Sequence, residues 1–188
     1  MAFEVLSSNL IGSGGAASLS ITGIPGTYSA LRIIFELQAE AAGALEDCKF
    51  EIGFNGLTSF DSTSNAWSSY RNQWDGYQNG GGAALLSYKK AENHGGVNYG
   101  TVGLTWGSNY TGSYKTNGWI DIYEYANSNN NTIVNGYYGQ ALNGNNYYAN
   151  GGMMGNCWDT AAAVTSIQLK LSNGDIKEYS TFDLYGVA

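Results

Sequence analysis

Proline occurs once in this chain of 188 residues, as Pro25; histidine occurs once, as His94; cysteine occurs twice, as Cys48 and Cys157. Each scarcity closes off some chemistry. A histidine-based metal site needs several ligands at fixed spacing, such as two histidines on one helix face or a Cys-x-x-Cys pair, and neither pattern is present. A Ser-His-Asp triad would have to use His94. That residue stands in Ala91-Glu92-Asn93-His94-Gly95-Gly96 and reads as a solvated turn residue. The two cysteines lie far apart and are expected to be buried, reduced thiols. Charged residues make up only 12% of the chain, about half the usual share of roughly 25%. Of the eight basic residues only Lys89 and Lys90 are adjacent. The clustered cations that bind a phosphate backbone are missing, so no nucleic-acid partner is expected. No apolar run approaches the roughly 18 residues of a membrane span, so no membrane partner is expected. The opening Met-Ala-Phe-Glu-Val-Leu has no basic n-region and no long apolar stretch. It reads as a strand, not a signal peptide, which implies synthesis and folding in a cytoplasm.

Catalytic motifs are also scarce. There is no Gly-x-Ser-x-Gly elbow and no Gly-x-x-x-x-Gly-Lys-Ser/Thr phosphate loop. Gly80-Gly81-Gly82 follows no parallel strand and opens no helix, so it is not a dinucleotide site. Asp75-Gly76-Tyr77-Gln78-Asn79-Gly80 does not fit a calcium loop. Fifteen acids supply many carboxylate pairs, so a glycosidase pair is not excluded on number alone. The tempting pair, Asp121 and Glu124, has an odd separation, which in a strand sets the two on opposite faces. No enzyme activity, cofactor or metal is expected.

What the chain does have is glycine (27), tyrosine (15), asparagine-rich turns and period-2 alternation. Leu31, Ile33, Phe35 and Leu37 alternate with Arg32, Glu36 and Gln38, with Ile34 the one apolar exception, as in a strand with one face in a core. Ile24-Pro25-Gly26-Thr27-Tyr28 before it reads as a type II turn, with Gly26 at φ > 0. Further strands are expected at 3–8, 18–23, 48–54, 84–90, 101–106, 118–125, 132–140, 164–172 and 180–187. In the 118–125 strand, Trp119, Asp121, Tyr123 and Tyr125 share one face. In the 164–172 strand, Thr165, Ile167, Leu169 and Leu171 point inward. Asn55-Gly56 and Ser172-Asn173-Gly174-Asp175 are turn signals. Residues 39–47 read as a loop with at most one helical turn, 57–82 as a long polar-aromatic loop or a cover for short strands, and 141–152 as a Gly/Asn/Tyr loop.

About ten strands with no substantial helix predict an all-β, antiparallel β-sandwich of jelly-roll type, as one domain over residues 1–188. Its core is expected to hold Leu31, Ile33, Phe35, Leu37, Phe50, Ile52, Ile167, Leu169, Leu171, Phe182 and Leu184. The contact residues expected are Trp67, Tyr70, Trp74, Tyr77, Tyr137, Tyr138, Tyr147 and Tyr148, next to Asn135, Asn143, Asn145, Asn146 and Asn150. Rings beside amides suit packing within one subunit, contact with another protein, or glycan binding; tyrosine gives contact area at low entropy cost.

Four patches resemble a diffuse group of small β-sandwich virion proteins of tailed bacteriophages. They are Met-Ala-Phe-Glu with its Gly/Ala/Ser-rich turn, Ile24-Pro25 with Thr27-Tyr28, Phe54-Asn55-Gly56, and Ser180-Thr181-Phe182-Asp183-Leu184-Tyr185-Gly186. Ile122 to Thr132 is a weaker fifth, and residues 57–118 match nothing in the group. The resemblance implies a non-enzymatic structural protein of the virion, made in the host cytoplasm. The reading that follows is a capsid decoration or cement protein, with carbohydrate recognition at a tail or fibre tip as the alternative. The expected partners are other virion proteins, glycans under the alternative, and copies of the chain itself in a homo-oligomer. A trimer is expected because such proteins sit on three-fold or local three-fold positions.

Overall fold

Leu31, Ile33, Phe35 and Leu37 are all buried in the computed structural model of the chain, on a strand that runs Ala30–Leu37, while Ile34 on the other face is exposed. The backbone is described for residues 2–40, 48–56, 67–78, 83–94, 99–105, 115–141 and 147–188, and side chains for 2–40, 48–56, 99–105, 115–140 and 151–188. In chain order the strands are β1 (Phe3–Leu10), β2 (Ser18–Thr22), β3 (Ala30–Leu37), β4 (Ala39–Glu40), β5 (Cys48–Phe54), β6 (Trp67–Gln78), β7 (Ala83–His94), β8 (Gly100–Thr105), β9 (Thr116–Tyr123), β10 (Thr132–Ala141), β11 (Tyr147–Trp158), β12 (Ser166–Leu171), β13 (Asp175–Ile176) and β14 (Thr181–Val187). There is no helix among the described residues.

An eight-stranded sheet has the order β1-β14-β3-β9-β10-β11-β6-β7 and a four-stranded sheet the order β2-β12-β5-β8; β13 pairs with β4 in a small third sheet. Every pairing is antiparallel. The two larger sheets share one apolar core, in a sandwich-like arrangement. Phe50 of the small sheet joins them, with ring centroids 4.9 Å from Phe35 and 5.9 Å from Phe182, both in the large sheet. At the other end, β8 approaches β10 and β11, and the buried Asn156 Nδ2 donates to the Thr101 carbonyl at 2.8 Å. All eleven residues expected in the core are buried.

The structure departs from the sequence expectations at several points. Among the described residues strands number fourteen, two of them only two residues long, where about ten were expected. The long loop over 57–82 contains the twelve-residue β6, and the loop over 141–152 contains the start of β11. Neither strand shows apolar alternation. Their ladders instead come from neighbours on both sides, since β11 pairs along its whole length with β6 and β6 with β7. His94 is the last residue of β7, not part of a turn cluster. Residues 41–47, 57–66, 79–82, 95–98, 106–114 and 142–146 lie outside the described residues, so the triple glycine, the asparagines at 143, 145 and 146 and all but the start of the loop expected over 39–47 are not placed; that start, Ala39–Glu40, is strand and not loop, because it pairs with β13.

The residue with positive φ near Pro25 is Gly23 (φ 71°) and not Gly26, which overturns the type II turn. Thr165 precedes β12 and is exposed, because its backbone N–H and hydroxyl both bond the Asn55 side chain outside the sheet. Asn55 and Gly56 both have positive φ, as an Asn-Gly turn demands. Tyr125 does not share the face of Trp119 and Tyr123. Glu124 takes φ 58°, which ends β9 and turns Tyr125 inward until it is 1% exposed. The Tyr125 hydroxyl donates to the Pro25 carbonyl at 2.6 Å and accepts from the Tyr28 N–H at 3.2 Å. Asn127 and Asn130 amides bond the Glu124 carboxylate, which lowers its pKa and steadies this left-handed residue.

Candidate functional site

Alternation that buries Ile120 and Ile122 must turn Trp119, Asp121 and Tyr123 to the opposite face. The same rule applies to each strand of the large sheet. Register then lines up Ile34, Trp119, Tyr137 and Met153 in one row across β3, β9, β10 and β11. The next row is Arg32, Asp121, Asn135 and Gly155, and the row after that joins Tyr123, Ile133 and Cys157. Ile34, Trp119, Tyr123, Ile133 and Met153 are each between 40% and 46% exposed. Scattered exposed apolar residues need no explanation, but these are neighbours on one flat face, which is what an interaction surface looks like.

A charged pair is built into this face. Arg32 Nε and Nη2 donate to Asp121 Oδ1 and Oδ2 at 2.6 and 2.9 Å, a bidentate contact. This hydrogen bonding raises the Arg32 pKa above its ordinary value. Asp121 is buried although it sits on the outer side. The guanidinium carbon lies 5.5 Å from the Phe3 ring centroid and 5.9 Å from that of Trp119, within cation–π range. Trp119 in turn stacks on Tyr137, with centroids 4.8 Å apart and planes at 19°. Phe3, Arg32, Trp119 and Tyr137 therefore form a ladder across the strands, closed at the Phe3 end by an edge contact with Tyr185.

The ladder gives a first expected result. Asp121→Ala leaves Arg32 with no bidentate partner and should lower stability by about 1–3 kcal/mol. That is less than for a fully enclosed pair, because the Arg32 side chain is 32% exposed and water screens it. Chemical denaturation checks this, and a loss below a few tenths of a kcal/mol would mean that the pair contributes nothing.

Of the eight residues expected at a contact, Tyr137 and Tyr138 divide between the faces. Tyr137 is on the outer face and Tyr138, its neighbour in β10, is buried on the inner one. Trp67, Tyr70, Trp74 and Tyr77 lie on β6, and Tyr147 and Tyr148 on β11. Backbone register sets Tyr77 opposite Tyr148, Tyr70 opposite Gly155, Trp74 opposite Gly151 and Trp67 opposite Trp158. Their backbone thus belongs to strands that extend the large sheet beyond β10, and not to loops; their side chains lie outside what the structure describes. The sequence reading did not single out Trp119, Tyr123, Ile133 and Met153, which this exposed face brings together. The available signal was apolar residues on both faces of β9 and β10, where one face would be enough to fill a core.

Among the described residues, no three of His, Cys, Asp and Glu gather closely enough to hold a metal ion. In comparisons with family models, curated proteins and solved structures, nothing matches this chain.

Proposed function

We propose that this protein is a non-enzymatic structural protein of a tailed-bacteriophage virion, a capsid decoration or cement protein that docks through the outer face of its large sheet. The observation that carries this reading is the contiguous row of Ile34, Trp119, half-buried Tyr137 and Met153, flanked by Tyr123 and Ile133; its charges are the internally paired Arg32 and Asp121 and, at the end of the row beside Ile34, Asp183 of β14. Aromatic residues and Met are enriched, and unpaired charge depleted, at the centres of protein contacts.

The strand order supports the same reading. Taken in sequence, β1, β2, β3, β5, β8, β9, β12 and β14 fall into the orders β1-β14-β3-β9 and β2-β12-β5-β8. We read this as the two interleaved Greek keys of a jelly roll, with the hairpins β10–β11 and β6–β7 added beyond β9. Jelly rolls serve in viral capsids and in lectins. The resemblance of the short motifs around Ile24-Pro25, Phe54-Asn55-Gly56 and 180–186 to those of small virion proteins favours the first. So does the ladder: a sugar stacks on a free ring face, and flanking strands put Arg32 on one side of Trp119 and Tyr137 on the other.

Quantitative mass spectrometry of purified particles tests the proposal. The protein is expected in many copies, in fixed ratio to the major shell protein, and an Ile133→Asp/Met153→Lys variant that melts normally is expected to be missing from the particles. Absence of the unmodified protein from particles, or a few copies confined to tails, would refute the decoration role.

A further inference from the structure

The free end of the large sheet is β1, whose outer edge has no partner strand among the described residues. Edge strands are usually blunted by charge, proline or a covering element. The opposite edge, β7, carries Lys89, Lys90, Glu92 and His94. By contrast, β1 has no proline and no basic residue; its one charge is Glu4, near its start, which accepts a 2.7 Å hydrogen bond from the Tyr28 hydroxyl. It exposes Phe3, Val5 and Leu10. Beneath it, between β1 and β2, a cleft of about 470 Å³ has an apolar floor of Leu6, Ile21, Ile24 and Leu184 and a polar rim that includes Ser7 and Asn9.

The pairing of β1 with β14 slips between Val5 and Ser7. This bulge turns both Leu6 and Ser7 toward the cleft. Phe3, Val5, Ser8 and Leu10 then lie on the outer side, and Glu4, Leu6, Ser7 and Asn9 on the inner side. Read from either end, the sequence of faces is the same. An ordinary strand of eight residues has no such symmetry, because strict alternation reverses when the strand is turned round.

We propose that β1 pairs antiparallel with β1 of a second copy across a two-fold axis between Leu6 and Ser7, joining the two large sheets edge to edge. In that register Phe3 meets Leu10 of the other copy, Val5 meets Ser8, and Glu4 meets Asn9. Every residue faces the same side as its partner, apolar meets apolar at both ends, and no two like charges oppose each other. The outer faces of the two copies become one platform. This contact does not depend on where the protein works, so its test and the particle test fail separately.

The experiment is sedimentation velocity on the full chain with paired charge variants. The unmodified protein should run at twice 20.1 kDa. Val5→Lys/Ser8→Lys sets added lysines against each other twice across the axis and should give a 20.1 kDa monomer. Val5→Lys/Ser8→Glu sets opposite charges in the same places and should restore the dimer. Val5 and Ser8 are exposed, so both variants should still fold, which far-UV circular dichroism and a cooperative melt check; the monomeric double lysine variant should melt somewhat lower than the dimeric parent because it lacks the partner's stabilisation. A parent that stays monomeric at high concentration, a dimer or trimer that survives the double lysine change, or a lysine/glutamate variant that stays monomeric would each overturn the proposal.

Discussion

Phe50→Ala should remove about 3–5 kcal/mol of stability. Phe50 is 0% exposed and its ring lies against Phe35 and Phe182, which come from adjacent strands of the opposite sheet. The change therefore loses the transfer free energy of a whole aromatic side chain and two ring contacts, and opens a cavity between the sheets. The walls of that cavity are strands held in ladders on both sides, β3 between β14 and β9 and β5 between β12 and β8, so they cannot close inward cheaply. Urea denaturation is the measurement. The midpoint should fall while the slope stays constant, because the surface exposed on unfolding hardly changes. A loss under about 1 kcal/mol would mean that the two sheets do not meet at this ring.

Phe50 could be placed from sequence because β5 has the property that makes strands readable: one face in the core and one polar face outward. The same holds, Ile34 apart, for β3, β12 and β14, and every core residue expected on them is buried. Strands β6 and β11 lack it. Tyr, Asn, Gly and Ser alternate there with no clear apolar period, and what fixes them is the ladder to strands on either side, which no local pattern reveals. Tyr125 was misplaced for a different reason. One left-handed residue, Glu124, shifts the phase of everything after it, and glutamate gives little warning of positive φ.

The candidate site was half legible for a related reason. A run such as Tyr137-Tyr138 looks like one cluster in sequence, but adjacent strand residues face opposite ways, so one went to the surface and the other to the core. The outer patch itself is assembled from four strands by register. Its clearest sequence trace was Ile34, the single apolar residue out of phase in the first core strand. That residue is now the start of the row that runs through Trp119 and Tyr137 to Met153. An apolar residue that breaks an otherwise clean alternation is thus informative about the solvent side of a sheet as well as about its core.

Gly136→Ala should cost about 3 kcal/mol or more, at or beyond the usual upper end of overpacking, while Gly139→Ala, three residues along the same strand, should stay within about 0.5 kcal/mol of the parent. A Cβ on Gly136 would stand 2.1 Å from the Val102 carbonyl oxygen and 2.8 Å from its carbon. Both are backbone atoms of β8, where the small sheet comes closest to β10. A side chain in the way could rotate aside; a strand cannot, and β8 is also tied there by the Asn156 amide on the Thr101 carbonyl. The whole edge of the small sheet would have to lift, unpacking Val102 and Leu104, both 0% exposed. A Cβ on Gly139 meets nothing nearer than the Asn117 Oδ1 at 3.8 Å, on the outer face. Neither glycine has the positive φ that would penalise alanine by itself, so the two variants isolate the space between the sheets as the cause. Denaturant melts of the two proteins side by side decide the matter. Equal stabilities would mean that β8 does not lie on β10 as closely as Gly136 requires, and the closed end of the sandwich would have to be redrawn.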